Sequence, residues 1–409
     1  MNKQKKFWVV TELFFPEETS TAYIMTKVSR YIAESKPVHV ICGPISYKKE
    51  VLSSTGSLET QKIKVTRVKT IGLDKDKLLQ RILRLILLSI QLSFKLLVKA
   101  RKGDDVMIVT NPAPLVVLVV LVCKIKGLKC FTIVHDVFPE NLVVAKLIKP
   151  DSSVYKLLKY IFNNAYRRMS VLFVLGRDMK AIFEEKLSKY KVKPAIHVVE
   201  SWADIDDIKP AEKIENSILK ELGIIEKVIF QFAGNLGRVQ GLMELCTIIK
   251  DIENPEIHFM MVGNGALKKD IEQFIKTHDL KNLTLLDSFS RTQQQNFLNA
   301  TDVGIVSLQE GMKGLGVPSK SYNIMAAGKP ILFIGDKQSE IARMVSENNI
   351  GWCFENDRPK ELLNFFNRLT SEDIRKMKAK GEMARALAET RYSQQNILDK
   401  YGKIVSSEG

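Results

Sequence analysis

This sequence predicts an α/β fold with two doubly wound parallel sheets, and three observations carry that reading. The chain has 409 residues, more than a single hydrophobic core usually serves. Short β-rich runs alternate with helical runs along both halves, the pattern of strands joined by crossover helices. The polar stretch "SWADIDDIKPAEKIENS" (201–217) carries Pro210 and many charges and reads as a linker between the halves. Hydrophobic residues make up 45% and charged residues 26% of the chain, so neither extended disorder nor an internal repeat is expected.

In the first half, "FWVVTELFF" reads as a strand after a basic start. Thr11 and Glu12 interrupt its apolar run, which argues against a signal peptide. "TAYIMTKVSRYIAES" has helical spacing, and "VHVICG" is a second strand. "DVMIVT", "CFTIVHD", "VLFVL" and "IHVVE" follow as strands separated by helices. The second half repeats the pattern with "KVIFQFAG", "IHFMMVG", "LTLLDS", "DVGIVSL" and "PILFIG". Two Rossmann-like domains are therefore expected, with ligands beyond the carboxyl ends of strands, in a cleft between them.

Cys42, Cys123, Cys130, Cys246 and Cys353 lie far apart with no CxxC pair. Neither a disulfide framework nor a zinc site is expected, and a reducing cytoplasm fits. His39, His197, His258 and His278 occur singly, and no cluster has metal-ligand spacing, so no catalytic metal is expected. The net charge of +16 favours nucleic acid, acidic lipid or phosphorylated substrates, against the plain alternative of a solvated basic surface.

Part of that charge is concentrated. Segment 77–102, "KLLQRILRLILLSIQLSFKLLVKARK", holds seven basic residues and no acidic one. Positions 77, 81, 84, 88, 91, 95, 99 and 102 form one helical stripe in which six of the eight are basic. A basic stripe beside a broad apolar face suits an anionic membrane surface. The uncharged run 85–94 is ten residues, well short of a bilayer span. The alternative is a helix packed on the sheet with a solvated basic edge.

Glycines punctuate three strand ends in the second half. "VIFQFAG" runs into "NLGRVQGLMELC", where Gly234 and Gly237 permit a tight turn and Arg238 and Gln240 offer donors. "MMVGNGALKKDI" repeats the arrangement with Gly263 and Gly265. After "DVGIVSL", the glycines from Gly311 to Gly316 let backbone approach a ligand, and Lys320 falls in the first turn of "SKSYNIMAAG". Each case alone is also explained by a plain strand–helix turn. A cation in a first helical turn is unfavourable unless an anion faces it. Lys320 therefore points to phosphate, and the three strand ends together point to a nucleotide diphosphate.

The segments "FAGNLGRVQGL", "VGNGALKKDIE" and "PSKSYNIMAAGKP" resemble glycosyltransferase family 4, a GT-B family, and are most similar to its bacterial O-antigen and capsule branch. "FFPEETSTAY", "VTNPAP", "VHDVFPEN" and "VVESWAD" fit the order of the family's N-terminal pieces, so the resemblance covers nearly the whole chain. It implies an acceptor-binding domain at 1–203, a nucleotide-sugar-binding domain at 204–390, and a last helix within 391–409 that returns to the first domain. The implied activity is a retaining transfer of a hexosyl or N-acetylhexosaminyl group from a nucleotide-diphosphate sugar, UDP-linked by preference. The implied acceptor is a polyprenyl-diphosphate-linked saccharide of surface polysaccharide assembly. Such an enzyme is expected in the cytoplasm, peripheral on the inner face of the plasma membrane, independent of metal or other cofactor, and without nucleic-acid binding.

Site residues follow from the matched positions. Many family members grip the donor diphosphate with an Arg and a Lys. Those positions are Asn235 and Gln240 here, and Arg238 and Lys320 are expected to supply the charge instead. Many members also carry two Glu separated by seven residues. The second falls on Asn323, which can still hydrogen-bond a ribose hydroxyl; the first falls on Leu315, or on Glu310 if the loop is longer. Gly316 and Ser319 belong to the same donor loop. "VHDVFPEN" places His135, Asp136 and Glu140 at a strand end, where the resemblance implies contact with the transferred sugar or the acceptor. Glu17 and Thr19 stand on the acceptor side, where Thr19 or Ser20 equally suits a helix cap. Two rival readings remain: a GT-B-fold sugar-nucleotide epimerase, and a non-catalytic nucleotide-sugar or lipid-binding protein.

Overall fold

The structure, a computed structural model, describes residues 5–45, 62–69, 72 and 78–409. It divides into two compact units. Unit 1 comprises Met1–Val143, Ile148–Val199 and Leu398–Gly409; unit 2 comprises Val144–Leu147 and Glu200–Ile397.

Unit 1 runs β1 (Phe7–Thr11), α1 (Ser20–Ser35), β2 (Val38–Cys42), β3 (Ile63–Arg67), α2 (Leu78–Lys99), β4 (Asp105–Val109) and α3 (Ala113–Lys126). It continues with β5 (Lys129–Val134), α4 (Glu140–Val144), α5 (Ser153–Tyr166), β6 (Val171–Val174), α6 (Arg177–Lys186) and β7 (Ala195–Val198). The strands pair in parallel in the order β3-β2-β1-β4-β5-β6-β7. The central strands β1, β4 and β6 are buried along their whole length. That is why they read as unbroken apolar runs rather than alternating ones.

Unit 2 runs α7 (Ser217–Leu222), β8 (Val228–Ala233), α8 (Leu242–Lys250), β9 (Ile257–Val262), α9 (Lys268–His278), β10 (Leu283–Leu286), α10 (Gln294–Asn299) and β11 (Val303–Ser307). It ends with α11 (Lys320–Ala326), β12 (Ile331–Ile334), α12 (Glu340–Glu347), β13 (Gly351–Phe354), α13 (Pro359–Asn367), α14 (Ser371–Thr390) and the start of α15 (Gln394–Glu408). Its strands are again parallel, in the order β10-β9-β8-β11-β12-β13. In both sheets the strand order reverses beside the first strand, between β1 and β4 and between β8 and β11. Such switch points leave a crevice at the carboxyl ends of the strands.

The expected doubly wound sheets are present, with two strands that the sequence pattern does not announce. β3 and β13 are both sheet edges with mostly half-buried residues; β3 mixes Lys and Arg into its apolar positions, and β13 is only the four residues "GWCF". The stretch 201–217 is not a loose linker. Trp202, Ala203 and Asp204 are buried, and the Ala203 N–H donates to the Tyr392 carbonyl at 2.8 Å. Arg385 donates to the Ile205 and Ile208 carbonyls, at 3.2 and 2.8 Å. The apolar anchors Trp202 and Ile208 hold this stretch on unit 2 despite its charges.

The end of α15 completes unit 1. Tyr401 is buried with its ring centroid 4.9 Å from that of Phe173, and the Tyr31 hydroxyl donates to Asp399 at 2.6 Å. A Cβ at Gly402 would meet the Tyr31 ring at 2.5 Å, so this contact requires glycine.

The basic stripe expected on segment 77–102 is not a continuous solvent-facing strip. Leu88 is 1% exposed, and Arg84 pairs with Glu12 at 2.9 Å. Lys77 lies outside the described residues. The inner side takes Leu88, Leu92 and Leu96, while Leu79, Ile82, Leu83, Ile86, Ile90, Phe94 and Val98 are exposed. No described helix is long and apolar enough to cross a membrane.

Tyr401→Ala removes a buried aromatic ring from unit 1. It is expected to lower stability by about 3–5 kcal/mol, the usual cost of deleting a large core aromatic. Urea unfolding checks this, and an unchanged midpoint would show that α15 is dispensable to unit 1.

Candidate functional site

The switch point of unit 2 is built on two interlocked loops. β8 leaves the sheet at Gly234 and β9 at Gly263, with φ of +142° and +150°. A Cβ on Gly263 would sit 1.9 Å from the Gly234 carbonyl oxygen, and one on Gly265 would sit 2.4 Å from that of Leu236. The Gly234 N–H donates to the Val262 carbonyl at 2.8 Å, and the Leu236 N–H to that of Asn264 at 3.0 Å. Gly263 and Gly265 therefore have a packing reason to be glycine: they let two backbones meet.

Lys320 opens α11 and reaches onto this platform. Its Nζ lies 3.3 Å from the centroid of the Phe232 ring and would be 3.1 Å from a Cβ on Gly234. The residue keeps some exposure, but the amine itself is enclosed and has no hydrogen-bond partner. Burial is the whole cause that pulls its pKa down to about 7; no charged neighbour contributes. Enclosure disfavours the charged form.

Two further enclosed polar atoms without partners lie at the same strand ends. They are Gln240 Oε1, on the 3-10 turn Arg238–Gln240, and Ser307 Oγ, at the last residue of β11. A Cβ on Gly241 would be 3.4 Å from Ser307 Oγ. The Gln309 N–H donates to the Val239 carbonyl at 2.9 Å, which ties the β11 end to this turn. A buried polar group left unpaired costs about 1–3 kcal/mol, so each of these three atoms, all carried by the loops and strand ends around the switch point, is free to bond a bound molecule. The set offers a cation for phosphate, an acceptor, and a hydroxyl that does both. Ser307 was not singled out from the sequence, where its only signal is a polar residue closing the apolar run "VGIVS".

The other residues expected on the donor side distribute as follows. Asn235 and Arg238 are exposed beside the turn, and Asn235 Nδ2 folds to 2.7 Å from the Cβ position of Gly237. Glu310 is exposed, Gly316 and Ser319 are half-buried, and Leu315 is buried. Asn323 departs from expectation, because its amide is engaged at both ends. Its Oδ1 accepts from the Asp204 N–H at 3.1 Å, and its Nδ2 donates to the Asp204 carboxylate at 3.3 Å. Asp204 also pairs with Arg291 at 2.5 Å and accepts from Trp202 Nε1 at 3.1 Å. Asn323 thus fastens the 201–217 stretch to α11, and a glutamate there would face the Asp204 carboxylate. The expected ribose contact is not carried forward.

In unit 1 the predicted residues gather at the end of β5. Thr110 Oγ1 accepts the backbone N–H of both His135 and Asp136 at 3.1 Å. The Asp136 carboxylate accepts from Asn111 Nδ2, and from Asn141 Nδ2 at 2.8 Å. Burial raises its pKa against the pull of these two amides. Burial also pulls the His135 pKa down to about 4, so the ring is neutral at neutral pH. Its Nδ1 lies 3.4 Å from Thr21 Oγ1, and its Nε2 is enclosed without a partner. Glu140 Oε1 pairs with Lys186 at 2.5 Å, while Glu140 Oε2 and Asn141 Oδ1 have no hydrogen-bond partner. Thr19 caps α1 by accepting from the Ala22 N–H at 3.2 Å, and Glu17 is buried. Thr21, Asn111 and Asn141 were not picked out individually, although all three sit inside the quoted "FFPEETSTAY", "VTNPAP" and "VHDVFPEN". Among the described residues no group of three or more His, Cys, Asp or Glu is arranged to hold a metal ion.

Residues 215–389 match the family described as "Glycosyl transferases group 1". Over 98% of its length the chain is 32% identical to the "Probable glycosyltransferase WbjE" of Pseudomonas aeruginosa, covering 97% of that protein. The fold is similar to that of HepE from Anabaena in complex with UDP and glucose, with TM-score 0.74 and 15% identity over 98% of this chain and 100% of that one. It is also similar to WaaG, "a glycosyltransferase involved in lipopolysaccharide biosynthesis", with TM-score 0.66 and 15% identity over 98% of this chain and 100% of that one.

Lys320 binds its proton less readily in the folded protein, at about 7, than at the ordinary value of 10.5. Between those values the unfolded chain holds more protons, so the stability of the ligand-free protein rises with pH across that window. Lys320→Met abolishes this dependence. Relative to wild type, the variant is expected to be more stable at pH 6 than at pH 10 by on the order of 4 kcal/mol. Urea unfolding at both pH values measures it, and an equal difference at both would show that the amine is not enclosed.

Proposed function

The chain belongs to the group 1 glycosyl transferases, and from that premise we propose that it builds a bacterial surface polysaccharide of the O-antigen or capsule type. In this reading it transfers a hexosyl or N-acetylhexosaminyl residue, with retention, from a UDP-sugar to a polyprenyl-diphosphate-linked saccharide. It works peripherally on the cytoplasmic face of the plasma membrane. The observation that carries the reading is the set of partnerless enclosed atoms at the β8–β11 switch point: Lys320 Nζ, Gln240 Oε1 and Ser307 Oγ. The preference for UDP is supported by HepE, a protein of similar fold bound to UDP-glucose. The polysaccharide role is supported by WaaG and by 22% identity, over 43% of this chain, to a "Putative colanic acid biosynthesis glycosyl transferase WcaI" of Escherichia coli.

The chemistry needs no further reactant. The bond between the anomeric carbon and the diphosphate oxygen breaks, and its electron pair leaves with the nucleoside diphosphate. The departing oxygen takes the proton of the acceptor hydroxyl, which attacks from the same face, so configuration is retained. Lys320, protonated against the diphosphate, and Arg238 offset the charge that develops on the leaving group. Fixed protein cations then do the work that a metal ion does elsewhere, and the proposed reaction is metal-independent. His135, uncharged, and Asp136, held by two amides, present hydrogen bonds to hydroxyl groups of the sugar or acceptor.

The test is incubation with UDP- and GDP-sugars, with and without a membrane extract. Release of nucleoside diphosphate that requires the extract supports transfer. An epimerised sugar nucleotide would indicate an epimerase, and binding without turnover a non-catalytic protein. In the same assay Lys320→Ala is expected to lose about 1.5–3 kcal/mol of donor interaction, roughly ten- to hundred-fold, while wild-type activity persists in excess EDTA. Unchanged donor affinity in the folded variant, or loss with EDTA restored by magnesium or manganese, would contradict the assignment.

A further inference from the structure

α3 packs against both α2 and α5 in unit 1, and the three helices share an unusual exterior. Along α2, Leu79, Leu83, Ile86, Ile90, Phe94 and Val98 recur every three or four residues and all are exposed, Phe94 by 63%. The opposite side of α2 is buried through Leu88, Leu92 and Leu96 together with Ser89 and Ser93. The helix is therefore apolar on both sides, with leucines and two serines inward and a second apolar ridge outward where a surface helix is usually polar. α3, "APLVVLVVLVCKIK", has no charged residue before Lys124 and exposes Leu121 and Ile125. α5 exposes Val154, Leu157 and Tyr160 at three-residue spacing. Contiguous exposed apolar surface marks an interaction face.

Charge decides what covers it. The three helices carry eight Lys and Arg residues and no Asp or Glu. A second copy of the chain would bring the same charges against them, and like charges oppose association. An anionic bilayer offers both complements, acyl chains for the ridge and phosphate headgroups for the cations. Because no described helix is fit to cross a membrane, the face would lie on the surface rather than through it.

We propose that the outer face of α2, α3 and α5 is an interfacial docking surface for an anionic bilayer, its apolar side chains seated at the acyl boundary and its Lys and Arg ends at the headgroups. The proposal rests on the glycosyltransferase reading only for the presence of a membrane beside the substrate. It assigns contact to the apolar ridge and its flanking cations on three helices, not to a basic stripe on α2.

The experiment is flotation of the full chain with vesicles of phosphatidylcholine, with and without phosphatidylglycerol, at low and high salt. Wild type is expected to float with the anionic vesicles. The triple variant Phe94→Ser, Ile125→Ser, Leu157→Ser should partition at least about tenfold less, since burial of apolar surface drives insertion. The variant Arg81→Gln, Lys99→Gln, Lys124→Gln, Lys156→Gln, Lys159→Gln should lose the preference for the anionic lipid. All the substituted residues are exposed, and UDP binding in the same samples reports an intact unit 2. Equal flotation of wild type and the serine variant would overturn the proposal. So would a wild type that ignores vesicles but sediments as a dimer that the serine variant dissociates. Vesicle binding as expected with no UDP binding in any sample would sink the donor reading and leave the docking surface standing.

Discussion

An amine enclosed without a counter-charge is the constraint around which unit 2 is arranged. Desolvation makes the ammonium of Lys320 costly, and what the fold sets against it is the face of Phe232 at 3.3 Å, a partial compensation through the ring quadrupole. The neighbouring residue types follow from this. Gly234 has no side chain because one would crowd the amine, and Gly263 has none because its loop must press on the Gly234 carbonyl. The glycines thus let the two loops interlock beneath the amine. A site that holds its cation in place in advance has less to reorganise when charge develops on a leaving group.

The two units carry opposite chemistry at the carboxyl ends of different strands, β5 in unit 1 and β8 and β11 in unit 2. Unit 2 offers an enclosed amine, its pKa pulled down to about 7 by burial, that an anion would charge. Unit 1 offers a histidine kept neutral by burial and an aspartate whose carboxylate is bridged by Asn111 and Asn141. An anionic leaving group suits the first environment, and neutral hydroxyl groups suit the second. Asn323 belongs to neither, since its amide is occupied in pinning Asp204. This explains why an amide stands where related enzymes place a carboxylate: the 201–217 stretch packs an acid beside it.

Much of the fold was legible because the central strands are buried on both faces and so write themselves as apolar runs. β3 and β13 escaped because their residue types do not write a strand: "IKVTR" places Lys and Arg among its apolar residues and "GWCF" opens on glycine. The donor loops were legible as glycines at strand ends, yet their reason was not, for close backbone approach and ligand contact demand the same residue. Lys320 was legible through a local conflict, a cation where a helix prefers an anion. Ser307 was not, because one serine at the end of a strand has no pattern to betray it. On α2 the periodicity was visible but its orientation was not. A helix apolar on two sides does not reveal which side the sheet will take, and Leu88, in the middle of the basic stripe, packs inward while Arg81 and Lys99 stay exposed.

The enclosed, uncharged amine has a direct consequence for binding. At pH 8 free Lys320 is largely neutral, and pairing with a diphosphate restores its proton. Titration calorimetry of UDP at pH 8, in two buffers of different ionisation enthalpy, counts that proton. Net proton uptake on binding UDP is expected for wild type, and none for Lys320→Met. Tight binding with no proton uptake, or the same uptake in both proteins, would contradict the placement of Lys320 at the donor phosphate.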